Sequence, residues 1–402
     1  MIEPKIFYRK LDSLLSKISL EKSSQDYVFK IVQELENTFG YDLRIGNGRV
    51  YEATEGEYIL VYSSSDENGI TKTIKADSEP IGALLSSKTY IFDNPDFTID
   101  NKIYSQSEYK IPAAITVRSP ESRWICVFEL KSGWLREEVE FCLNAVRTYL
   151  NYRLYSESVK SEMEQAAHIQ QSLLPASAPE VTGFKLCGRS IPAEIVGGDL
   201  YDYFDFDDEM LGVCIGDASG HGLPAALLVR DVVTGLRMGL EKHMEMVYTF
   251  EKLNKVIYKS VYSTSFISLF YAEIEKNGNI FYVNAGHPSP LLFSASDSEC
   301  EEIKELESTG LIFGALPEIQ LSRSFANMKS GDILVLYTDG IFERKNPFTG
   351  EDFGIEGIKK TVIENKNLTP EEILDKLFLN AFSFGLKRKW EDDATIMVIK
   401  KD

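Results

Sequence analysis

Apolar residues recur along this chain in two rhythms. Over the first 40 residues they fall at helical spacing, with Leu11, Leu14, Leu15 and Ile18, then Val28, Ile31, Val32 and Leu35, which predicts helix. From 41 to 130 the runs shorten and turn residues separate them. YILVYSS at 58–64 and WICVFEL at 124–130 predict strands, and Asp66-Glu67-Asn68-Gly69 a turn. A long helical pattern begins near Glu137. Val139, Leu143, Val146 and Leu150 step by four, three and four, the spacing of a coiled-coil seam. After a phase shift the stripe resumes at Tyr152, Tyr155, Val159, Met163 and Ala166, and Leu173-Leu174-Pro175 ends it, because proline cannot continue a helix.

Beyond that proline the strand rhythm dominates. MLGVCIGDASG (210–220), FISLFYAEIE (266–275), NIFYVNAGH (279–287), DILVLYTDG (332–340) and ATIMVIK (394–400) are the clearest runs. PAALLVRDVVTGLRMGL (224–240) and PEEILDKLFLNAF (370–382) read as helices that open on proline, a favoured first-turn residue. The expectation is an α+β chain in three parts: a small α+β domain over 1–135, a helical connector over 136–174, and a domain of antiparallel sheets flanked by helices over 175–402. The connector seam is short. It serves equally a helix packed inside the chain and a homodimer contact.

Composition narrows the partners. A formal net charge of −19 argues against nucleic acid or an anionic membrane as the main partner. Cys126, Cys142, Cys187, Cys214 and Cys300 are odd in number, scattered and never in a C-x-x-C pair, as buried thiols in a reducing compartment would be. The first residues carry an early acid and no long apolar core, unlike a secretory signal. No apolar run approaches the roughly 18 residues of a membrane span. The expected location is cytoplasmic.

Candidate chemistry lies in four aspartate motifs: Gly197-Gly198-Asp199, Gly216-Asp217-Ala218-Ser219-Gly220, Tyr337-Thr338-Asp339-Gly340 and Glu391-Asp392-Asp393-Ala394-Thr395. Each sets an acid at the end of an apolar run, which is costly unless the acid is paired or binds a cation. Adjacent glycines allow close backbone approach. Turn-marking by Asp and Gly is the competing reading. The four histidines, His168, His221, His243 and His287, form no paired-histidine spacing, which disfavours a zinc hydrolase. A carboxylate site suits a hard cation such as Mg²⁺ or Mn²⁺.

These residues, in this order, resemble the PPM-type (type 2C-like) serine/threonine phosphatases, in the bacterial branch typified by the stage II sporulation protein E phosphatase domain. The matching segments include AAHIQQSLLP (166–175), EIVGGDLYDYF (194–204), VCIGDASGHGLPAALLV (213–229), FYVNAGHPSPLLF (281–293), GDILVLYTDGIFE (331–343) and EDDATIMVI (391–399). The resemblance implies a sandwich of two antiparallel sheets flanked by helices. It also implies two Mn²⁺ or Mg²⁺ ions and water-based phosphoryl hydrolysis without a covalent enzyme intermediate. By it, Asp199 coordinates metal partly through water, Asp217 bridges the ions, the Ala218 carbonyl ligates one of them, and Asp339 and Asp392 complete the set. Asp393 is a neighbour whose register against Asp392 stays open. The implied substrate is a phosphorylated anti-sigma-factor antagonist.

The remaining motifs read more plainly. His221 is expected to position a loop, Asn284, Gly286 and His287 to shape a turn at the sheet edge, and Ser219 to be loop structure. No arginine can be assigned to the substrate phosphate. Cys142 and Arg147 miss the C-x5-R spacing of a cysteine phosphatase, and Asp205-Phe206-Asp207-Asp208-Glu209 reads as a hairpin turn and not an aspartyl-phosphate motif. The N-terminal pattern resembles a GAF-like sensor domain, with PAS as the alternative. A small-molecule or protein signal and dimerisation alone are both open for it. The competing function is a phosphatase-like binding module that sequesters a partner without turnover; the aspartate set is complete, which favours the enzyme.

Overall fold

The computed structural model describes residues 9–10, 24–65, 70–99, 109–207, 210–240, 246–260, 266–295 and 303–402. The helix expected around Leu11–Ile18, the turn at 66–69 and residues 208–209 of the acidic hairpin lie outside them. Two compact units divide at Glu162 and Met163. The division falls inside one helix, Arg136–Gln171.

In the first unit α1 (Ser24–Leu43) buries Tyr27, Val28, Ile31, Val32, Leu35, Phe39 and Leu43, the stripe that its spacing predicts. It precedes β1 (Ile45–Ala53), β2 (Glu57–Ser63), β3 (Thr73–Lys75), α2 (Glu79–Ser87), β4 (Thr89–Ile91), β5 (Tyr109–Arg118) and β6 (Arg123–Lys131). The strands form one antiparallel sheet in the order β3-β2-β1-β6-β5-β4. One face packs on α1 and on the start of α3 (Arg136–Gln171). The other buries Tyr51, Ile125 and Val127 with Ile81, Leu84 and Phe92. Val139, Leu143, Val146 and Leu150 lie in the first core, so the seam packs against this sheet. A heptad-spaced stripe has the same period whether it meets a helix or a sheet. The second stripe differs: Tyr152, Tyr155 and Val159 are exposed.

The second unit runs from the end of α3 through β7 (Phe184–Ile191), β8 (Asp199–Asp207), β9 (Met210–Ala218), α4 (Leu223–Gly239), α5 (Met246–Ser260), β10 (Ile267–Glu275) and β11 (Asn279–Ala285). It continues with β12 (Leu291–Phe293), β13 (Ile303–Glu305), β14 (Ser324–Asn327), β15 (Ile333–Tyr337), α6 (Asp339–Phe342), α7 (Gly354–Glu364), α8 (Pro370–Phe384) and β16 (Ala394–Lys401). The strands make two five-stranded sheets, β14-β11-β10-β9-β8 and β13-β12-β15-β16-β7, antiparallel throughout.

The sheets face each other through Leu211, Val213, Ile215, Phe270, Leu334, Leu336, Met397 and Ile399. The outer face of the first is covered by α4 and α5, that of the second by α7 and α8. Strands such as β9 and β16 are thereby buried on both faces, which is why they read as unbroken apolar runs without alternation. α8 opens on a capping box: Thr369 accepts from the Glu372 N–H while the Glu372 carboxylate accepts from the Thr369 N–H. Among the described residues no helix is long and apolar enough to cross a membrane.

Candidate metal centre

The four aspartate motifs meet at one edge of the sandwich. The expectation that each acid ends a strand holds for Asp217, in the last turn of residues of β9. Asp199 instead opens β8, Asp339 opens α6 directly after β15, and Asp392 and Asp393 precede β16. Antiparallel neighbours begin and end at the same edge, so acids before one strand and after the next converge. Asp199 and Asp217 are cross-strand partners in the β8–β9 ladder.

Asp199 is buried, and its Oδ2 accepts from the Thr338 hydroxyl at 2.8 Å and the Thr395 hydroxyl at 2.6 Å. Thr395 lies in β16 and Thr338 directly follows β15, so this carboxylate ties the two sheet edges together. The Thr395 N–H donates in turn to the Thr338 hydroxyl, at 2.9 Å. Both threonines stand inside the quoted motifs; no sequence signal marked them as partners of Asp199. The other oxygen, Oδ1, is buried with no hydrogen-bond partner, an expensive state for an acid unless a cation or water is meant to meet it.

The neighbouring acids repel one another. Burial foremost, then the charges of Asp339, Asp392 and Asp393, push the Asp217 pKa up to about 8. Burial, with Asp392 and Glu343, pushes Asp339 up to about 6. Asp199 is raised by burial and by Asp217, against the two threonine hydroxyls. Like charges gathered in a low-dielectric edge favour protonation or a cation. Glycines keep the approach open: a Cβ on Gly198 would stand 2.9 Å from the Ala218 carbonyl oxygen, and one on Gly340 2.0 Å from that of Asp393. Among the described residues no three acid, imidazole or thiol side chains close on a single point, so an ion here needs main-chain oxygen or water as well. The orphaned Asp199 oxygen, the repelling carboxylates and the open Ala218 carbonyl together fit hard cations.

Asp392 and Asp393 separate by their partners. Asp393 accepts the Ala193 N–H on Oδ1 at 2.7 Å and the Gly198 N–H on Oδ2 at 2.5 Å. It clamps the loop that delivers Asp199. Asp392 is exposed, and its Oδ1 accepts the Asp393 N–H at 2.8 Å. The same loop is held from the other side by Gln170 near the end of α3, whose buried amide donates to the Gly197 carbonyl at 3.3 Å. Gln170 is another residue that sequence pattern did not single out.

Ser219 and the 284–287 segment are loop and turn structure, as expected. Ser219 bonds the Phe266 backbone with both its hydroxyl and its N–H. His221 is exposed beside Glu194 at 3.3 Å. Asn284 accepts the His287 N–H, and the buried His287 ring lies 2.9 Å from the Ser268 hydroxyl. Burial pushes its pKa down to about 3, so it stays neutral. A cavity of about 150 Å³ between Ile333, Val362, Lys366 and Lys400 lies at the far ends of β15 and β16 and shares none of these acids.

The family model of stage II sporulation protein E matches residues 207–402. The C-terminal unit belongs to this phosphatase family. The chain is 27% identical to phosphoserine phosphatase RsbU of Bacillus subtilis over 263 residues, 64% of this chain and 75% of that protein. It is 26% identical to phosphoserine phosphatase RsbP of the same organism over 192 residues, but spans only 46% of that protein. Among solved structures, the SiaA-PP2C domain of Pseudomonas aeruginosa superposes with a TM-score of 0.53 at 18% identity, over 61% of this chain and 98% of that domain. The two-sheet sandwich of this SpoIIE-type unit is thus the PP2C fold.

Proposed function

We propose that the SpoIIE-type unit hydrolyses phosphoserine or phosphothreonine on a small regulatory protein of the anti-sigma-factor-antagonist type, using two Mn²⁺ or Mg²⁺ ions. The observation that carries this is the Asp199–Asp217 cross-strand pair, tied through Thr338 and Thr395 to the edge that bears Asp339 and Asp392. In this reading Asp217 faces both ions, the Ala218 carbonyl one of them, and Asp339 and Asp392 close the set. Asp199 keeps one oxygen on the two threonines and turns the other toward metal or its water. Asp393 positions the loop through two N–H bonds and is not itself a ligand. Bound ions of this kind supply Lewis acidity to the phosphoryl oxygens and ease deprotonation of water. The chain's own part is to hold the carboxylates rigidly at strand ends.

The test is hydrolysis of para-nitrophenyl phosphate and of a phosphoserine protein by the full chain. We expect turnover that requires Mn²⁺ or Mg²⁺ and disappears with chelator. Tight binding of a phosphoprotein without turnover in Mn²⁺ would favour the sequestering module instead.

Control by the N-terminal unit belongs to the same proposal. Its helix–sheet–helix layout, with six antiparallel strands, supports the GAF-like sensor reading. Arg49 on its sheet is already paired with Glu129, which leaves the signal unassigned. A homodimer would use the exposed Tyr152, Tyr155 and Val159 and not the buried seam. α3 begins in the core of the first unit, and Gln170 in its last turn bonds the loop that carries Asp199. Arg237 holds the next turn by donating to the Leu173 carbonyl and to Asp202, each at 2.7 Å. Gln170→Leu leaves the Gly197 carbonyl unpaired. We expect the Mn²⁺ concentration for half-maximal activity to rise about tenfold, the range for lost outer supports of a metal site. A titration that matches the wild type would refute this link.

A further inference from the structure

The metal centre as described accounts for cations but not for the anion it must receive. Two divalent ions bring four positive charges against the carboxylates of Asp199, Asp217, Asp339, Asp392 and Asp393. The site stays negative, and so does the chain, at −19. A phosphoserine dianion on an acidic protein needs positive charge nearby to approach it.

Lys387, Arg388 and Lys389 are consecutive, exposed and without an ion-pair partner among the described residues. They stand just before Asp392, and three residues of chain keep Lys389 within about 11 Å of it. Their backbone is built, not slack. Leu386 and Lys387 both adopt left-handed conformations, φ 56° and 58°, each costing roughly 1 kcal/mol for a non-glycine residue. They close the end of α8, the Leu386 N–H donating to the Ser383 carbonyl and the Lys387 N–H to the Phe382 carbonyl. Arg344, 1% exposed, holds the next two residues by donating to the Lys389 carbonyl at 2.8 Å and the Arg388 carbonyl at 2.5 Å. Its guanidinium also stacks 5.0 Å from the Trp390 ring centre and lies 3.5 Å from the Glu391 carboxylate. Gly385 leaves it room, since a Cβ there would fall 2.1 Å from its Nε. A buried cation holds these carbonyls, and the three basic side chains stay exposed, three to five residues along the chain from Asp392.

We propose that Lys387, Arg388 and Lys389 form a basic lip of the metal centre that selects phosphoproteins with acidic residues around the phosphoserine, with Arg344 as its positioning residue. The inference rests on the phosphatase reading above. Complementary charge at a rim acts on encounter and selectivity, so its effect belongs mainly in KM and weakens with salt.

The experiment compares two phosphoserine peptides of equal length, one flanked by Asp and Glu, one by Lys and Arg, with the Mn²⁺-loaded full chain. We expect the wild type to prefer the acidic peptide about tenfold in kcat/KM, mostly through KM. K387A/R388A/K389A should reduce the preference to below about threefold, and K387E/R388E/K389E should invert it. The substituted side chains are exposed, and an unchanged unfolding midpoint checks that the variants fold. A preference that survives charge reversal, or a wild type that favours the basic peptide, overturns the lip. A wild type inactive on both peptides and on para-nitrophenyl phosphate overturns the phosphatase reading and the lip with it.

Discussion

Asp217→Asn will abolish metal-dependent hydrolysis and at the same time make the metal-free protein more stable. The activity loss follows from the position of Asp217 between Asp199 and the acids of the other sheet edge. If Asp217 faces both ions as proposed, a neutral amide in its place weakens both, and kcat should fall on the order of a thousandfold. The stability gain follows from the same repulsion. Folding raises the Asp217 pKa from 3.8 to about 8 and that of Asp339 to about 6. A carboxylic acid with a raised pKa binds its proton more tightly folded than unfolded. The metal-free fold therefore loses stability as pH climbs from 3.8 through those two values. Neutralising Asp217 removes much of that loss, on the order of 2 kcal/mol at pH 8, or about 5 °C in Tm for a unit of this size. Calorimetry of chelated protein should show the wild-type Tm falling between about pH 4 and 8 and levelling off above, with the variant curve flatter. Added Mn²⁺ should raise the wild-type Tm most at high pH. Retained hydrolysis in Asp217→Asn would refute the bridging role, and a variant no more stable than the wild type would refute the electrostatic account.

What the residues announced, and what they withheld, follows from distance along the chain. Runs such as ATIMVIK were legible because β16 is apolar on both faces. The aspartates were legible because an acid beside glycine after such a run has few inexpensive explanations. Their supports were not. Thr338 and Thr395 lie 139 and 196 residues from Asp199, and nothing local distinguishes them from other threonines in or beside strands. Arg344 looks like any surface arginine until the fold closes over it. The connector was half legible: period marks a buried stripe, but Val139 and Leu143 meet a sheet that the same period cannot distinguish from a second helix. The partners of Asp393 were equally hidden: the backbone N–H groups of Ala193 and Gly198 reach it across nearly 200 residues.

Gly340→Ala carries the second large effect, and it separates geometry from charge. The substitution adds one methyl group and alters no ionisable residue. Yet an ideal Cβ at 340 would stand 2.0 Å from the Asp393 carbonyl oxygen and 3.2 Å from that of Asp392. Both neighbours are backbone, so no side chain can rotate away. The turn carrying Asp339 and the segment carrying Asp392 must move apart, and overpacking of this kind costs about 3 kcal/mol. The displacement enters the site directly, because Asp339 and Asp392 are the acids on either side of the contact. Asp393 moves as well, and with it the N–H clamp on the loop of Asp199. Metal affinity should fall at least about a hundredfold, since ligands and their supports shift together. Activity should return only in part at high Mn²⁺, in contrast to Asp217→Asn, where no concentration restores it. Isothermal titration with Mn²⁺ and a chemical unfolding curve measure the two effects on one sample. A variant with wild-type affinity would mean that these backbones do not pack as tightly as described. It would also remove the reason for a glycine immediately after the third aspartate.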